Sequence, residues 1–250
     1  MMKKLFAAAI LFGAAAVLSA GSPLFEKDVV FHISFDDETI EADITEGSEK
    51  PQMKFGKVAF ADGISGKALR CGKDGAKVRY HRTDNLNFDR PGTIVFFYKG
   101  VGWKTFGKGS RVLFWAIESS AGYIGQHLAN DPKTLCPCKR NLTTMYLYGK
   151  KIPNKSFFTN LPGGEAGCEK WHMLAFSWAP GQIRVNADDV PGKTYPLPFD
   201  VTDKDFPNQT FSIGNSSDWP YLLDEFTIYN RRLSDAELLD IYNKTMGVKK

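Results

Sequence analysis

Apolar residues recur at every second position through most of the chain between residues 29 and 230, and Gly, Pro, Asn and Asp break the runs at short intervals. Successive side chains of a strand point to opposite faces, so this period specifies half-buried β-strands and excludes a helical bundle. In Val29–Phe35 the residues Val29, Phe31, Ile33 and Phe35 alternate with Val30, His32 and Ser34. Further strands are expected over Lys67–Cys71, Lys77–Tyr80, Thr143–Tyr148, Lys155–Thr159, Thr210–Ile213 and Leu222–Tyr229. Ile94–Tyr98 and Val112–Ile117 are apolar on both parities, which suits central strands covered on both faces.

Trp171–Trp178 and Gln182–Ala187 flank Ala179-Pro180-Gly181. They read as a hairpin with Leu174, Phe176 and Trp178 facing the core beside Ile183, Val185 and Ala187. The expected fold is therefore all-β, two antiparallel sheets packed face to face, with a closed barrel as the alternative. One helix is expected near the end. Ser234 and Glu237 form a capping box, and Leu238, Leu239, Ile241 and Tyr242 supply an apolar stripe. The Gly- and Pro-marked segments 100–109 and 129–141 are expected to be surface loops.

The chain opens differently. Lys3 and Lys4 precede an apolar run from Leu5 to Leu18, followed by the small residues Ser19, Ala20, Gly21 and Ser22. That run is shorter than the roughly 20 apolar residues of a membrane-spanning helix, and the pattern is that of a signal peptide over residues 1–20, cleaved after Ala20. Position 22 is Ser, so no cysteine is offered there for lipid attachment. Residues 21–250 are expected to form one domain that is secreted, periplasmic or held at the cell surface, without a further membrane span. The formal net charge of +4 includes both leader lysines, and the remaining charges are scattered, which argues against nucleic acid as a partner.

The cysteines are Cys71, Cys136, Cys138 and Cys168. Export makes disulfides the default, and the short Cys136-Pro137-Cys138 spacing favours pairing at a distance over a bridge between neighbours. A metal or redox site is the alternative, although Cys71 and Cys168 have no ligand-spaced neighbour.

Several motifs together carry a family resemblance: Trp171-His172-Met173-Leu174-Ala175-Phe176-Ser177-Trp178, the turn at Pro180-Gly181, Phe211-Ser212-Ile213-Gly214, and Leu223-Asp224-Glu225-Phe226 running through Tyr229-Asn230-Arg231-Arg232-Leu233-Ser234. With Ile33-Ser34-Phe35-Asp36-Asp37 and Gly63-Ile64-Ser65-Gly66 in the N-terminal part, the chain resembles the LamG-like jelly-roll domains of the concanavalin A-like lectin/glucanase superfamily. It departs from them at Val185-Asn186-Ala187-Asp188-Asp189, where such domains often carry Tyr-Val-Asp-Gly, and in the region from about 100 to 167.

Strict alternation puts Asp224 on the face of Leu222, Phe226 and Ile228, and puts Asp37 in phase with Phe31, Ile33 and Phe35 beside Asp36. Inward carboxylates need a cation, amide donors or a proton. Calcium takes oxygen ligands in irregular geometry, and the resemblance implies a structural Ca²⁺ held by Asp224 and a carbonyl of the Gly63–Gly66 turn. The expected metal set is Asp36, Asp37, Gly66 and Asp224; the alternative is that Asp224 accepts hydrogen bonds from loop amides.

A retaining glycosidase needs two carboxyls about 5 Å apart, and the alternating acidic motif of the related glucanases is missing; so is Gly-x-Ser-x-Gly. The chain therefore reads as a binding module rather than an enzyme. Sugars stack on aromatic rings beside polar readers, which points to Trp103, Asn215, Asp218, Trp219 and Tyr221 as ligand contacts. Anchoring of loops by partial burial is the alternative for the tryptophans. A surface-protein-binding, adhesive module is the rival function, and a glycoside hydrolase comes third.

Overall fold

The computed structural model describes residues 22–102, 111–115, 122–130, 141–149, 155–161, 169–205, 209–215 and 219–248, with the strands between 111 and 161 described as backbone. Sixteen strands among these residues form two antiparallel sheets. Sheet A has nine strands. Its main order is β14 (Val190–Pro196), β13 (Gln182–Ala187), β12 (His172–Ala179), β7 (Gly92–Gly100), β16 (Tyr221–Tyr229), β1 (Val29–Ile33) and β2 (Ile44–Thr45); β5 (Lys67–Cys71) also pairs with β16, and β4 (Phe60–Asp62) with β5. Sheet B runs β11 (Lys155–Leu161), β10 (Asn141–Gly149), β9 (Gly122–Asn130), β8 (Arg111–Trp115), β15 (Thr210–Gly214), β6 (Lys77–His81) and β3 (Met53–Phe55). Both sheets are open, so the molecule is a β-sandwich and not a barrel.

The expected hairpin has the expected register. Leu174 lies opposite Ala187, Phe176 opposite Val185 and Trp178 opposite Ile183, and all six side chains enter the core between the sheets. Strand β7 is central in sheet A and buried on both faces. Ile94, Phe96 and Tyr98 point into the sandwich, while Val95 and Phe97 pack on the outside with Leu238 and Ile241 of helix α1 (Asp235–Thr245). An aromatic cluster joins the sheets at the centre. The Phe31 ring of sheet A lies 5.0 Å from Tyr80 and 5.2 Å from Phe211 of sheet B, both edge-on.

Helix α1 begins at the expected capping box, with the Ser234 side chain accepting from the Glu237 amide and the Glu237 carboxylate accepting from the Ser234 amide. Glu237 is also gripped by Arg231, whose guanidinium donates to it at 2.7 Å and to Asp28 at 2.7 Å. The Arg231 hydrogen bonds, ahead of the Ser234 ones, hold the Glu237 carboxyl down to about 2. Of the expected stripe, Leu238 and Ile241 are buried, whereas Leu239 points to solvent. No helix among the described residues is long and apolar enough to cross a membrane.

Strands β2, β3, β4, β9 and β14 are additions to the sequence-based expectation. Strand β14 contains Pro191, Gly192 and Pro196, residues that argue against a strand unless it lies at an edge. It is the edge of sheet A.

Candidate functional site

The site is built on an irregularity in β16. Asp224 pairs with Phe97 and Thr227 pairs with Val95, so Glu225 and Phe226 together oppose the single residue Phe96. This is a β-bulge, and Glu225 adopts the left-handed conformation with φ 50° to accommodate it. The bulge overturns the expected phase of the strand. Residues directly opposite share a face, so Asp224 lies on the side of Phe97, outside the sandwich. Phe226 and Ile228 join Tyr221 and Leu223 on the inner side. Period-two counting carries across a strand only while each residue faces one partner.

Asp224 is nonetheless fully buried. Its carboxylate accepts from the amides of Ile64 at 2.8 Å, Ser65 at 3.4 Å and Glu225 at 2.9 Å. The first two belong to the Gly63–Gly66 turn between β4 and β5, closed by the Gly63 amide donating to the Gly66 carbonyl at 2.9 Å. Two glycines are required here. A Cβ on Gly63 would sit 2.3 Å from Asp224 Oδ2, and one on Gly66, where φ is 51°, would sit 2.1 Å from Asp36 Oδ1. Asp36 also accepts from the Lys67 amide at 3.0 Å. One glycine turn thus receives both Asp36 and Asp224.

Asp37 does not join them. The chain turns after Phe35, where φ is 65°, and Asp37 is exposed. Its expected inward phase fails because the strand ends at Ile33 and alternation ends with it.

Three of these carboxyls bind their protons more tightly than usual. Burial is the main cause at Asp36, with the Lys67 amide opposing it and Asp43 and Asp37 adding repulsion. Asp224 is pushed up to about 8, by burial first, against the relief given by its three amide donors. Glu225 is pushed up to about 9, by burial and then by Asp224, Asp36 and Asp43, with Lys244 opposing. His32, buried on β1, stands beside them: its Nε2 lies 3.7 Å from Glu225 and 3.9 Å from Asp43, while Nδ1 bonds Thr227 Oγ1 at 2.9 Å. Next to this group a cavity of about 240 Å³ separates the outer face of sheet A from α1, with Glu225, Thr227, Tyr229 and Lys244 among its lining residues.

Sequence reasoning named Asp36, Gly66 and Asp224 and the structure brings them together; it missed Glu225, Asp43 and His32. Nothing in the local pattern marks Asp43, and His32 finds Thr227 across 195 positions. Among the described residues no three His, Cys, Asp or Glu side chains converge as a metal cluster. A hard cation would draw on two Asp carboxylates plus backbone oxygen. Such oxygen is at hand, since a Cβ on Gly63 would meet Ser65 O at 2.6 Å as well as Asp224 Oδ2.

The aromatic candidates fare differently. Tyr221 is 1% exposed and part of the core, so it is not a surface reader of a ligand. Its hydroxyl, pushed well up by burial, hydrogen-bonds with Cys71. Trp219 is half-buried against the same core, and the Asn215 carbonyl accepts from the Gly72 amide at 2.7 Å. Trp103, Asp218, Cys136, Cys138 and Cys168 lie outside the described residues. Cys71 is a free, buried thiol on β5, which corrects its expected place in a disulfide. Burial pushes this thiol up, and its Sγ contacts the Leu69 carbonyl at 3.8 Å. His172 is a packed residue, held by Asp188 at 2.7 Å.

No protein-family model matches the chain, and no curated protein matches it. Solved structures do. The receptor-binding domain of botulinum neurotoxin mosaic serotype C/D, with tetraethylene glycol bound, superposes with a TM-score of 0.68 at 12% identity over 86% of this chain and 50% of its own. Domain 4 of AbnA, an extracellular arabinanase from Geobacillus stearothermophilus solved in complex with arabinotriose, gives 0.60 at 19% identity over 86% of this chain and 99% of its own. A botulinum neurotoxin type C structure, titled for cell entry dependent on two ganglioside molecules, gives 0.65 at 11% identity over 88% of this chain and 52% of its own. This chain thus spans about half the length of the toxin chains and nearly all of the arabinanase domain. With two open antiparallel sheets and a C-terminal helix, it shares the β-sandwich fold of these domains.

Proposed function

We propose that the chain is a non-catalytic, carbohydrate-binding module of LamG-like type, exported by the leader at residues 1–20. The observation that carries this reading is the fold match to 99% of a domain solved with arabinotriose. Trp103, Asn215, Asp218 and Trp219 are the proposed sugar contacts; Trp219, half-buried, keeps part of its indole for stacking. A glycan array including arabinan oligosaccharides and sialylated glycans tests it. Binding to one glycan class, weakened in Trp219→Ala, is the expected result. A blank array together with capture of a surface protein favours the adhesive alternative, for which a neurotoxin binding domain solved with rat synaptotagmin II, TM-score 0.66, is the precedent. Release of reducing sugar from a polysaccharide overturns the non-catalytic reading.

In the same reading Asp36 and Asp224, with a carbonyl of the Gly63–Gly66 turn, hold a structural Ca²⁺, which supplies the positive charge their burial calls for. The support is the donor set: two desolvated carboxylates on one glycine turn. The pH dependence has a definite sign. Asp224 and Glu225 have raised folded values, about 8 and about 9, so the folded state holds protons that the unfolded chain releases near pH 4. In chelator, stability is therefore full below pH 4 to 5 as far as these groups are concerned and falls as pH rises towards 8 to 9. The slope is at most about 1.4 kcal/mol per pH unit per group. Added Ca²⁺ offsets the fall, most strongly at high pH, where fewer protons have to be displaced. Melting curves between pH 5 and 9, with and without Ca²⁺, read both effects. Asp224→Asn flattens the slope and removes the gain from Ca²⁺; a gain that persists in this variant rules out Asp224 as a ligand.

A further inference from the structure

Cations gather where β5, β16 and β7 run side by side, and their neighbours do not neutralise them. Arg70 of β5 lies opposite Leu222 of β16, which lies opposite Lys99 of β7. Residues directly opposite share a face. Leu69, Leu223 and Tyr98, one position along on each strand, point into the core, so the row of Arg70, Leu222 and Lys99 is on the outer side of sheet A. Lys57, from the connection between β3 and β4, and Lys73, from the turn between β5 and β6, join Arg70 around a cavity of about 490 Å³. Asp74 is the one acidic side chain among its described lining residues. Among the described residues the side chains of Lys57, Arg70, Lys73 and Lys99 make no ion pair and no hydrogen bond, whereas Lys67, Arg82 and Arg231 are each paired with a carboxylate.

The backbone holds this arrangement open. The turn that carries Lys73 is closed by the Gly75 amide donating to the Gly72 carbonyl at 2.9 Å, and it is tied down by the Gly72 amide on the Asn215 carbonyl. Gly72 has φ 81°, and a Cβ there would overlap the Trp219 carbonyl oxygen, so glycine is what lets the turn pack on the Trp219–Pro220 segment. The Val101 amide donates to the Pro220 carbonyl at 3.1 Å, and Val101, Pro220 and Leu222 give the cavity an apolar side. A low-dielectric wall strengthens the pull of a cation on an anion inside. The volume falls within the roughly 300 to 1,000 Å³ of small-molecule sites.

We propose that this cavity takes the acidic group of a glycan, a sugar carboxylate or sulfate held by Arg70, Lys57 and Lys73. The proposal rests on the carbohydrate reading and deepens it, since Asn215 and Trp219, two of the sugar contacts assigned there, both meet the cavity wall through Gly72. Arg70 offers a planar fork that matches either oxyanion, and the lysines add point charges around it. Asp74 is an acceptor for a hydroxyl of the same sugar. A neutral sugar would leave the cations uncompensated, and a metal ion would add to them.

Calorimetric titration tests this with a glucuronate-containing oligosaccharide, a sulfated one, and the neutral counterpart of each. An acidic form is expected to bind about tenfold or more tightly than its neutral counterpart at low salt, and the arm with the larger preference identifies the anion. The preference should shrink as salt is raised. In the double variant Arg70→Gln/Lys73→Gln it is expected to fall below about twofold. Both residues are exposed, so the melting temperature should stay put. Equal binding of acidic and neutral forms, or a preference that survives in the double variant, overturns the proposal and leaves the carbohydrate reading standing. Tighter binding of a single-stranded oligonucleotide than of either acidic sugar also overturns it. Failure of every oligosaccharide, neutral forms included, overturns both.

Discussion

Phe31→Ala is expected to lower the unfolding free energy by about 4 kcal/mol, read as a drop in the urea midpoint with an unchanged slope. Phe31 is fully buried on β1 and is one of the rings through which the two sheets touch at their centre. It meets Tyr80 edge-on at 5.0 Å, Phe211 at 5.2 Å and Phe226 at 6.1 Å. Truncation removes three ring contacts and leaves a void that neighbours on hydrogen-bonded strands close poorly. Tyr80 is further restrained by its hydroxyl, which donates to the Ile40 carbonyl at 2.7 Å. The melting temperature should fall by roughly 10 °C, and Phe31→Leu, which keeps most of the volume, by much less. A loss below about 1 kcal/mol in Phe31→Ala would mean that the sheets slide together and that the central cluster does not set their spacing.

The second large effect is electrostatic. Arg82 is 2% exposed, yet it carries a charge, and its Nη2 donates to Asp203 Oδ1 at 2.7 Å. Burial weakens the guanidinium's hold on its proton, and Asp203 is the chief opposing influence. The same Asp203 oxygen accepts from the Phe88 amide at 2.8 Å, and the guanidinium lies over the Phe88 ring at 5.5 Å. Asp203→Ala removes the carboxylate that opposes the burial of this cation most strongly, with the weaker influence of Asp89 remaining, and is expected to cost about 3 kcal/mol. Adding Arg82→Met to that variant should restore part of the loss, because the desolvated charge disappears with it. Denaturation of the single and double variants checks this, and a double variant less stable than the single one contradicts the argument.

The parts of this molecule that were legible in its sequence are those set by short-range rules. The Ala179-Pro180-Gly181 turn specifies the β12–β13 register because a tight turn leaves the strands one way to pair. Ser234 and Glu237 announce the helix because capping is local chemistry. What stayed hidden depends on partners far along the chain. Strand β14 is recognisable only once its edge position excuses its prolines. The bulge at Glu225 exists because Phe96 faces two residues, a fact about pairing with β7 and not about β16 alone. That one extra residue reversed the inferred facing of Asp224 while leaving its identity as the central carboxylate intact. Asp36 reaches the glycine turn and Asp37 faces solvent for one reason: where a strand stops decides which of two neighbouring carboxylates turns in. Cys71 suggested a bridge by composition, but its place under Tyr221 is a packing result.

The edge strand β14 also limits how this molecule can recognise anything. A peptide that joins a sheet does so by exchanging amide hydrogens for carbonyls along an open edge. Pro191 and Pro196 offer no amide hydrogen, and the Lys193 charge stands between them. Strand addition at this end of sheet A is therefore blocked, both for a partner's extended segment and for a second copy of the chain. Recognition there falls to side chains, which suits a ligand read by its shape and hydroxyl groups better than one read through its backbone.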